Sequence, residues 1–316
     1  MGRYLLRRLL QAVFVLWAAY TLSFVVLYLL PGDPAEIMVA GGGEGTDISD
    51  AQLAEVRAEW GLDAPPATQY LDRLTDAIRG DLGVSTQTGD QVTAMIADQL
   101  PATLQLTLTA ATLAVLLGAA VALAGVYTTR PWLRQVLLSL PALGASAPTF
   151  WVGLLLIQLV SFRWGLLPAI GDQGWRGLIL PAVTLALPTA AVLGQVLAKS
   201  LSHTLAEPYV ETALAKGAGR ARVLLRHAVR NAALPAFTVL GVLVGNLLAG
   251  SVVVETVFSR TGVGRITANS VTVQDIPVVQ GLVVLGAVAF VLASLAVDLV
   301  YPLLDPRVTP GRAVAA

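Results

Sequence analysis

Six stretches of this 316-residue chain contain no Asp, Glu, Lys or Arg: residues 9–30, 101–127, 135–162, 177–198, 231–254 and 276–297. A hydrocarbon core about 30 Å thick is crossed by about 20 apolar residues rising about 1.5 Å each. In lipid the backbone must satisfy its own N–H and C=O groups, so the stretches are expected as helices. Barrel strands alternate in polarity and are about half as long. The expected fold class is therefore an all-α polytopic membrane protein with six transmembrane helices. Pro141, Pro148, Pro181 and Pro188 predict kinked or broken turns in the third and fourth. The first apolar run exceeds the length of a secretory signal and no small-x-small cleavage site follows it, so it reads as a retained span.

Composition agrees. Charged residues are only 13% of the chain, about half the usual globular share. The 20 basic and 20 acidic side chains balance, leaving no basic handle for nucleic acid. The lack of cysteine removes disulfides, thiolate metal sites and a thiol nucleophile. Six spans place both termini on one side, and that side holds 13 of the 20 Lys and Arg against 7 on the other. Both termini are therefore expected in the cytoplasm of a multi-pass cell-membrane protein. The organisation follows: a cytoplasmic N-terminus and first helix over 1–30, an external helical segment over 31–100, a five-helix core over 101–302 with a cytoplasmic loop at 199–231, and a cytoplasmic tail over 303–316.

The external segment carries helix signals. Ser49 with Gln52 forms a capping box, Ile48 with Leu53 a hydrophobic staple, and Leu53, Val56 and Trp60 recur at helical spacing before Gly61. A second helix begins near Pro66, with Tyr70, Leu74 and Ile78 as its stripe and Gly80 as its end; both stripes read as a small core packed on the spans. Gly41-Gly42-Gly43 reads as a flexible approach to the first. In the cytoplasmic segment, Pro208 suits the first turn of a helix running to about Lys216, and Gly217 and Gly219 give a turn. A basic amphipathic helix follows, Val223, Leu224 and Leu225 opposing Arg222, Arg226 and Arg230. It could lie on lipid or dock a protein; Glu207 and Glu211 suit a helix N-terminus facing a partner better than an anionic lipid surface.

Glu211-Thr212-Ala213, Gly217 and Leu234-Pro235 resemble the E-A-A-x3-G loop of bacterial ATP-binding-cassette importer permeases, with Thr212 in place of the first Ala. The long spacing to Pro235 and the Tyr209-to-Gly217 run look like the peptide/nickel subfamily. Blocks along nearly the whole chain are similar to that family: Pro31-Gly32-Asp33-Pro34, Gly61-Leu62-Asp63, Gln69-Tyr70, Gly80-Asp81-Leu82-Gly83, Pro101-Ala102-Thr103-Leu104, Arg226-His227-Ala228, Asn231-Ala232, Val253 through Phe258, and Leu303 through Arg307. Gln195, Pro208 and Thr261-Gly262 depart from its pattern. The long segment after the first span resembles the first, "B"-type dipeptide/oligopeptide permease. The resemblance implies a MetI-like type I importer fold, a heterodimer with a homologous second permease, two ATPases carrying ATP and Mg, and an extracytoplasmic solute-binding protein. It implies an ATPase-coupling loop at Tyr209, Glu211, Ala213, Ala215, Lys216, Gly217 and Arg222.

The chain offers little other chemistry. The nearest approach to a phosphate-binding loop, Gly194 through Lys199-Ser200, has Leu193 and Ala198 where glycines belong. No cofactor is expected on this chain, and no enzymatic activity. His203 and His227 lack carboxylate or thiolate company at ligand spacing, so no metal site is expected. Glu255 and Asp298 close the fifth and sixth spans; interfacial solvation, or pairing of Glu255 with Arg260 or Arg265, is the bland reading, and a proton relay in a secondary transporter is the rival. Gly241 and Gly245 predict close helix packing, and Asn246, with Gln158 and Gln195, is a candidate to line a polar path. An intramembrane hydrolase is remote, since the spans carry no base.

Overall fold

The computed structural model describes residues 2–29, 35–36 and 49–304. Expectations placed on Pro31 to Pro34, Gly41 to Gly43, Ile48 and the tail from Asp305 fall outside those residues. The described chain is helical: α1 (Gly2–Phe24, continued by a π turn Val25–Leu29), α2 (Asp50–Glu59), α3 (Pro66–Ile78), α4 (Val92–Tyr127), α5 (Pro131–Ser146), α6 (Thr149–Leu156, continued by a π turn Ile157–Arg163), α7 (Gly174–Leu205), α8 (Pro208–Ala215), α9 (Arg220–Val257), α10 (Val263–Thr272) and α11 (Ile276–Leu304). Five helices are long and apolar enough to cross a membrane, and the α5–α6 pair makes a sixth if its two arms count as one span. That pair bends by 102°. The break falls at Ala147-Pro148, where a proline bars helical geometry in the residue before it. Pro181 and Pro188, expected to kink or break the fourth span, lie inside α7, which continues through both without a break.

Two compact units emerge, one from Met1–Thr103 with Thr261–Val291, the other from Leu104–Arg260 with Leu292–Ala316. In the first unit, α2 starts at Ser49, whose hydroxyl accepts from the Gln52 amide while the Gln52 side chain accepts from the Ser49 amide. It ends at Gly61 (φ +63°), with Leu62 N–H reaching the Arg57 carbonyl at 2.8 Å. Such a left-handed terminus favours glycine because it has no Cβ to clash. Gln69 then clamps the connection by donating to the Leu62 and Ala64 carbonyls at 2.9 and 2.8 Å. Val56, Trp60, Leu62 and Tyr70 pack on Phe24, Tyr28 and Ile276. The face of α3 that turns inward runs through Tyr70 and Arg73; Ile78, expected in its buried stripe, is 79% exposed. Beyond Gly80, the Asp81 carboxylate accepts from Gly83 N–H at 2.9 Å, and Leu82 packs with Val92, Ile96, Val278 and Leu282. α4 begins nine residues before the apolar stretch that announced it, and α10 was not signalled by periodicity.

The second unit is built on α7, which packs against α5, α6 and α9. About 67% of its apolar window is buried, against 17–33% for the other four long helices, and it contacts α5, α6 and α9 alike, so it is the central helix of this unit. Its buried face is rich in small residues, Ala182, Ala186, Ala190 and Gly194 among them. Close backbone approach is the usual basis of helix association where no hydrophobic force separates protein from lipid. Gly118 on α4 meets α7 here: a Cβ on Gly118 would lie 2.8 Å from the Ala190 carbonyl oxygen and 3.2 Å from the Gly194 nitrogen.

Candidate functional site

The 199–231 segment is not a free loop. α7 runs to Leu205, and α9 starts at Arg220, so the basic amphipathic helix expected after Gly219 is the first two turns of the fifth span. Between them stands α8, eight residues long. Pro208 occupies its first helical position, where the missing N–H costs nothing. Its end is a Schellman turn: Gly217 N–H bonds the Leu214 carbonyl at 2.9 Å and Ala218 N–H the Ala213 carbonyl at 3.1 Å, with Gly217 at φ +84°. A Cβ on Gly217 would touch nothing within 4 Å, so the requirement there is conformational.

α8 is held from behind and bare in front. Val210 is buried, Tyr209 Oη accepts from Asn231 Nδ2 at 3.2 Å, and a cavity of about 190 Å³ lined by Leu205, Val210, Leu214, Val223 and Leu224 lies under the helix. Glu211, Ala215, Lys216, Gly217 and Arg222 are exposed, as is Tyr209, and Ala213 is half-buried. The seven residues singled out for this loop therefore fall on or beside one exposed, capped helix. Val223 and Leu224 are buried as the amphipathic pattern predicts, but Leu225 is 61% exposed. Three consecutive helical residues spread over about 200°, so Leu225 leaves the face that Val223 and Leu224 share; a π turn runs through Val223–Ala228.

The other candidates do not converge. Gly241 and Gly245 are half-buried on α9 and Asn246 is exposed, as are Gln158 and Gln195. Glu255 is fully buried, so solvation at a membrane edge is not its setting. Asp298 lies on α11, and its side chain falls outside the described ones. Gly194 and Ser200 are interior to α7, where backbone N–H groups are spent on the helix and cannot cradle a phosphate.

Two buried polar clusters escaped the sequence reading. Arg260, 4% exposed, reaches the Asp172 carboxylate at 3.1 Å and donates to the Gly177 carbonyl at 3.2 Å. That carbonyl is available because its helical partner four residues on is Pro181, which has no N–H. In the first unit, Asp275 is 2% exposed; it accepts from Ser85 Oγ at 2.5 Å and from Thr86 N–H at 3.3 Å. Both pairs join residues far apart in sequence, which leaves no local signal. The proline within an apolar helix was the one available clue to the first.

Residues 114–310 match the family model described as binding-protein-dependent transport system inner membrane component, and residues 1–107 match its N-terminal companion. The chain is 38% identical to the glutathione transport system permease protein GsiC of Salmonella choleraesuis (strain SC-B67) over 98% of this chain and 99% of that one. It is 37% identical to the GsiC protein of Escherichia coli (strain K12) over the same shares. Among solved structures, an inward-facing MetNI methionine ABC transporter chain superposes with a TM-score of 0.51 at 17% identity, covering 67% of this chain and 96% of that one, a likeness of fold.

Proposed function

The chain belongs to the binding-protein-dependent transport system inner membrane components, and from that premise we propose how this permease of an ATP-driven importer works and what it carries. The cargo is a small peptide. The named relatives, which move the tripeptide glutathione, support that class. The chain pairs with a homologous permease to form the path, takes its cargo from a binding protein outside, and is driven by two ATPases inside. Its termini lie in the cytoplasm, where Lys and Arg are concentrated, and residues 49–91 face outward.

The observation that carries the coupling role is α8. A helix of two turns, fixed at its start by Pro208 and at its end by Gly217, moves as one rigid body. Its exposed face bears Glu211 and Lys216 and the small Ala215, and small residues let a helix seat closely in a groove of a partner. Its rear contacts are Val210 to the floor and Tyr209 to Asn231 on α9, so a push on α8 is delivered to the fifth span.

Affinity purification of the tagged chain from native membrane is expected to bring down a second permease and two ATPases. The reconstituted complex is expected to take up peptide in an ATP-dependent, vanadate-sensitive way. Glu211→Ala is expected to lower transport per ATP hydrolysed while leaving assembly intact. Transport by this chain alone, or uptake that ignores vanadate and collapses with a proton uncoupler, would sink the reading.

A further inference from the structure

The first unit carries a half-open cavity of about 540 Å³ lined by residues of α1, the end of α2, α3, the 81–84 turn and the start of α11. That volume lies in the range of small-molecule sites. Three carboxylates line it, Asp72, Asp76 and Asp81, against one guanidinium, Arg73. Arg73 is committed elsewhere: it donates to Tyr28 Oη at 2.9 Å and to the Trp60 carbonyl at 3.2 Å, and lies 4.6 Å from the Tyr28 ring centre. Asp72 and Asp76 stand one turn apart on α3, and among the described residues Asp76 pairs with the exposed Arg79 at 3.8 Å, a weak and solvated pair. Ionised carboxylates are acceptors alone, so this wall has spare acceptor capacity and a local excess of negative charge.

Helix α11 supplies a group of the other kind. Gln280 lines the cavity from α11 beside Tyr20 and is 6% exposed; the two side chains interact, yet among the described residues no acceptor stands in direct hydrogen-bond geometry to the Gln280 Nε2. A buried donor left unpaired is unfavourable, and an acceptor brought by a ligand would relieve it. The wall is firm: a Cβ on the next residue, Gly281, would lie 2.7 Å from Val92 Cγ1, so α11 is seated tightly on α4 at this point.

We propose that this cavity binds a small ligand carrying a primary ammonium beside a carbonyl oxygen, as the amino end of a free peptide does. The ammonium meets the Asp72 and Asp76 carboxylates, and the neighbouring carbonyl accepts from Gln280. The choice of a peptide among ammonium compounds rests on the import reading above. The three carboxylates draw the ammonium end of such a ligand and turn its carboxylate end away.

The test is equilibrium binding of labelled trialanine to the assembled transporter in lipid nanodiscs, without binding protein or ATP. N-acetyl-trialanine, which lacks the ammonium, is expected to bind at least about tenfold more weakly, since charge-assisted contacts are the strong ones. The same loss is expected of trialanine in the double variant Asp72→Asn/Asp76→Asn, whose changes are exposed and leave the fold intact. Gln280→Leu, matched in size, is expected to weaken binding about threefold or more. Absence of binding to the unaltered complex, equal affinity for the two peptides, or unaltered affinity in the double variant overturns the site. Vanadate-sensitive uptake of trialanine, measured with the binding protein, reports separately. Uptake without cavity binding sinks the site alone, and cavity binding without ATP-driven uptake sinks the import reading alone.

Discussion

Replacing Gly118 by alanine tests whether the α4–α7 contact is as close as its atoms imply. The added Cβ would lie 2.8 Å from the Ala190 oxygen and 3.2 Å from the Gly194 nitrogen, both backbone atoms that cannot rotate aside. The helices must part by a few tenths of an ångström. Overpacking of this kind costs about 1–3 kcal/mol, against which alanine recovers about 0.8–1 kcal/mol of helix propensity over glycine. The expected net effect is destabilisation by about 1 kcal/mol. Gly286 on α11 supplies the control: a Cβ there meets nothing within 4 Å, so Gly286→Ala keeps the propensity gain without the clash. The two alanine variants should therefore differ by about 2 kcal/mol in unfolding free energy. Reversible unfolding in mixed micelles, followed by helical circular dichroism, reads that difference. Gly194→Ala should cost less than Gly118→Ala, since its nearest contact is 3.2 Å to the Gly118 oxygen. The double variant should cost less than the two single changes together, because one separation relieves both clashes. A Gly118→Ala protein as stable as Gly286→Ala would refute the close-packed seam.

Further outcomes follow from single contacts. Ser85→Ala removes the hydroxyl bonded to the buried Asp275 carboxylate and is expected to cost about 1.5–3 kcal/mol, the range for bonds to charged groups, measured by the same unfolding assay. Pro181→Ala restores an N–H that competes for the Gly177 carbonyl, so Arg260 loses that acceptor; a faster hydrogen exchange rate in the 171–177 segment is the expected reading. Gly217→Ala places a side chain at φ +84° and costs about 1–2 kcal/mol locally. Gly219→Ala, at φ −68°, should be close to neutral, so only the former should lower uptake per ATP hydrolysed.

Local rules made much of the coupling segment legible. Pro208, Gly217 and the residues between them encode a short helix through effects that act within four or five residues, and the structure realises them as written. The same holds for Ser49, Gly61, Pro66 and Gly80 around α2 and α3. The reading failed where facing is decided at a distance. Ile78 continues a helical stripe in sequence, yet Arg73 takes the inward place because Tyr28 and the Trp60 carbonyl offer it partners. Leu225 is apolar beside two buried neighbours, yet it is exposed on the turn that follows them.

What the sequence alone determined is the membrane class, the approximate place of the long apolar helices, and the capped helices between them. These follow from hydrophobic run length and from short-range backbone chemistry, both written in consecutive residues. Which helix is central, which glycines meet, and which carbonyl receives Arg260 were decided only by tertiary structure. A lone glycine, a proline within a helix or a buried aspartate has no meaning until a distant backbone arrives beside it. Gly118 against Gly194, Pro181 beneath Arg260, and Asp275 beneath Ser85 are all of that kind.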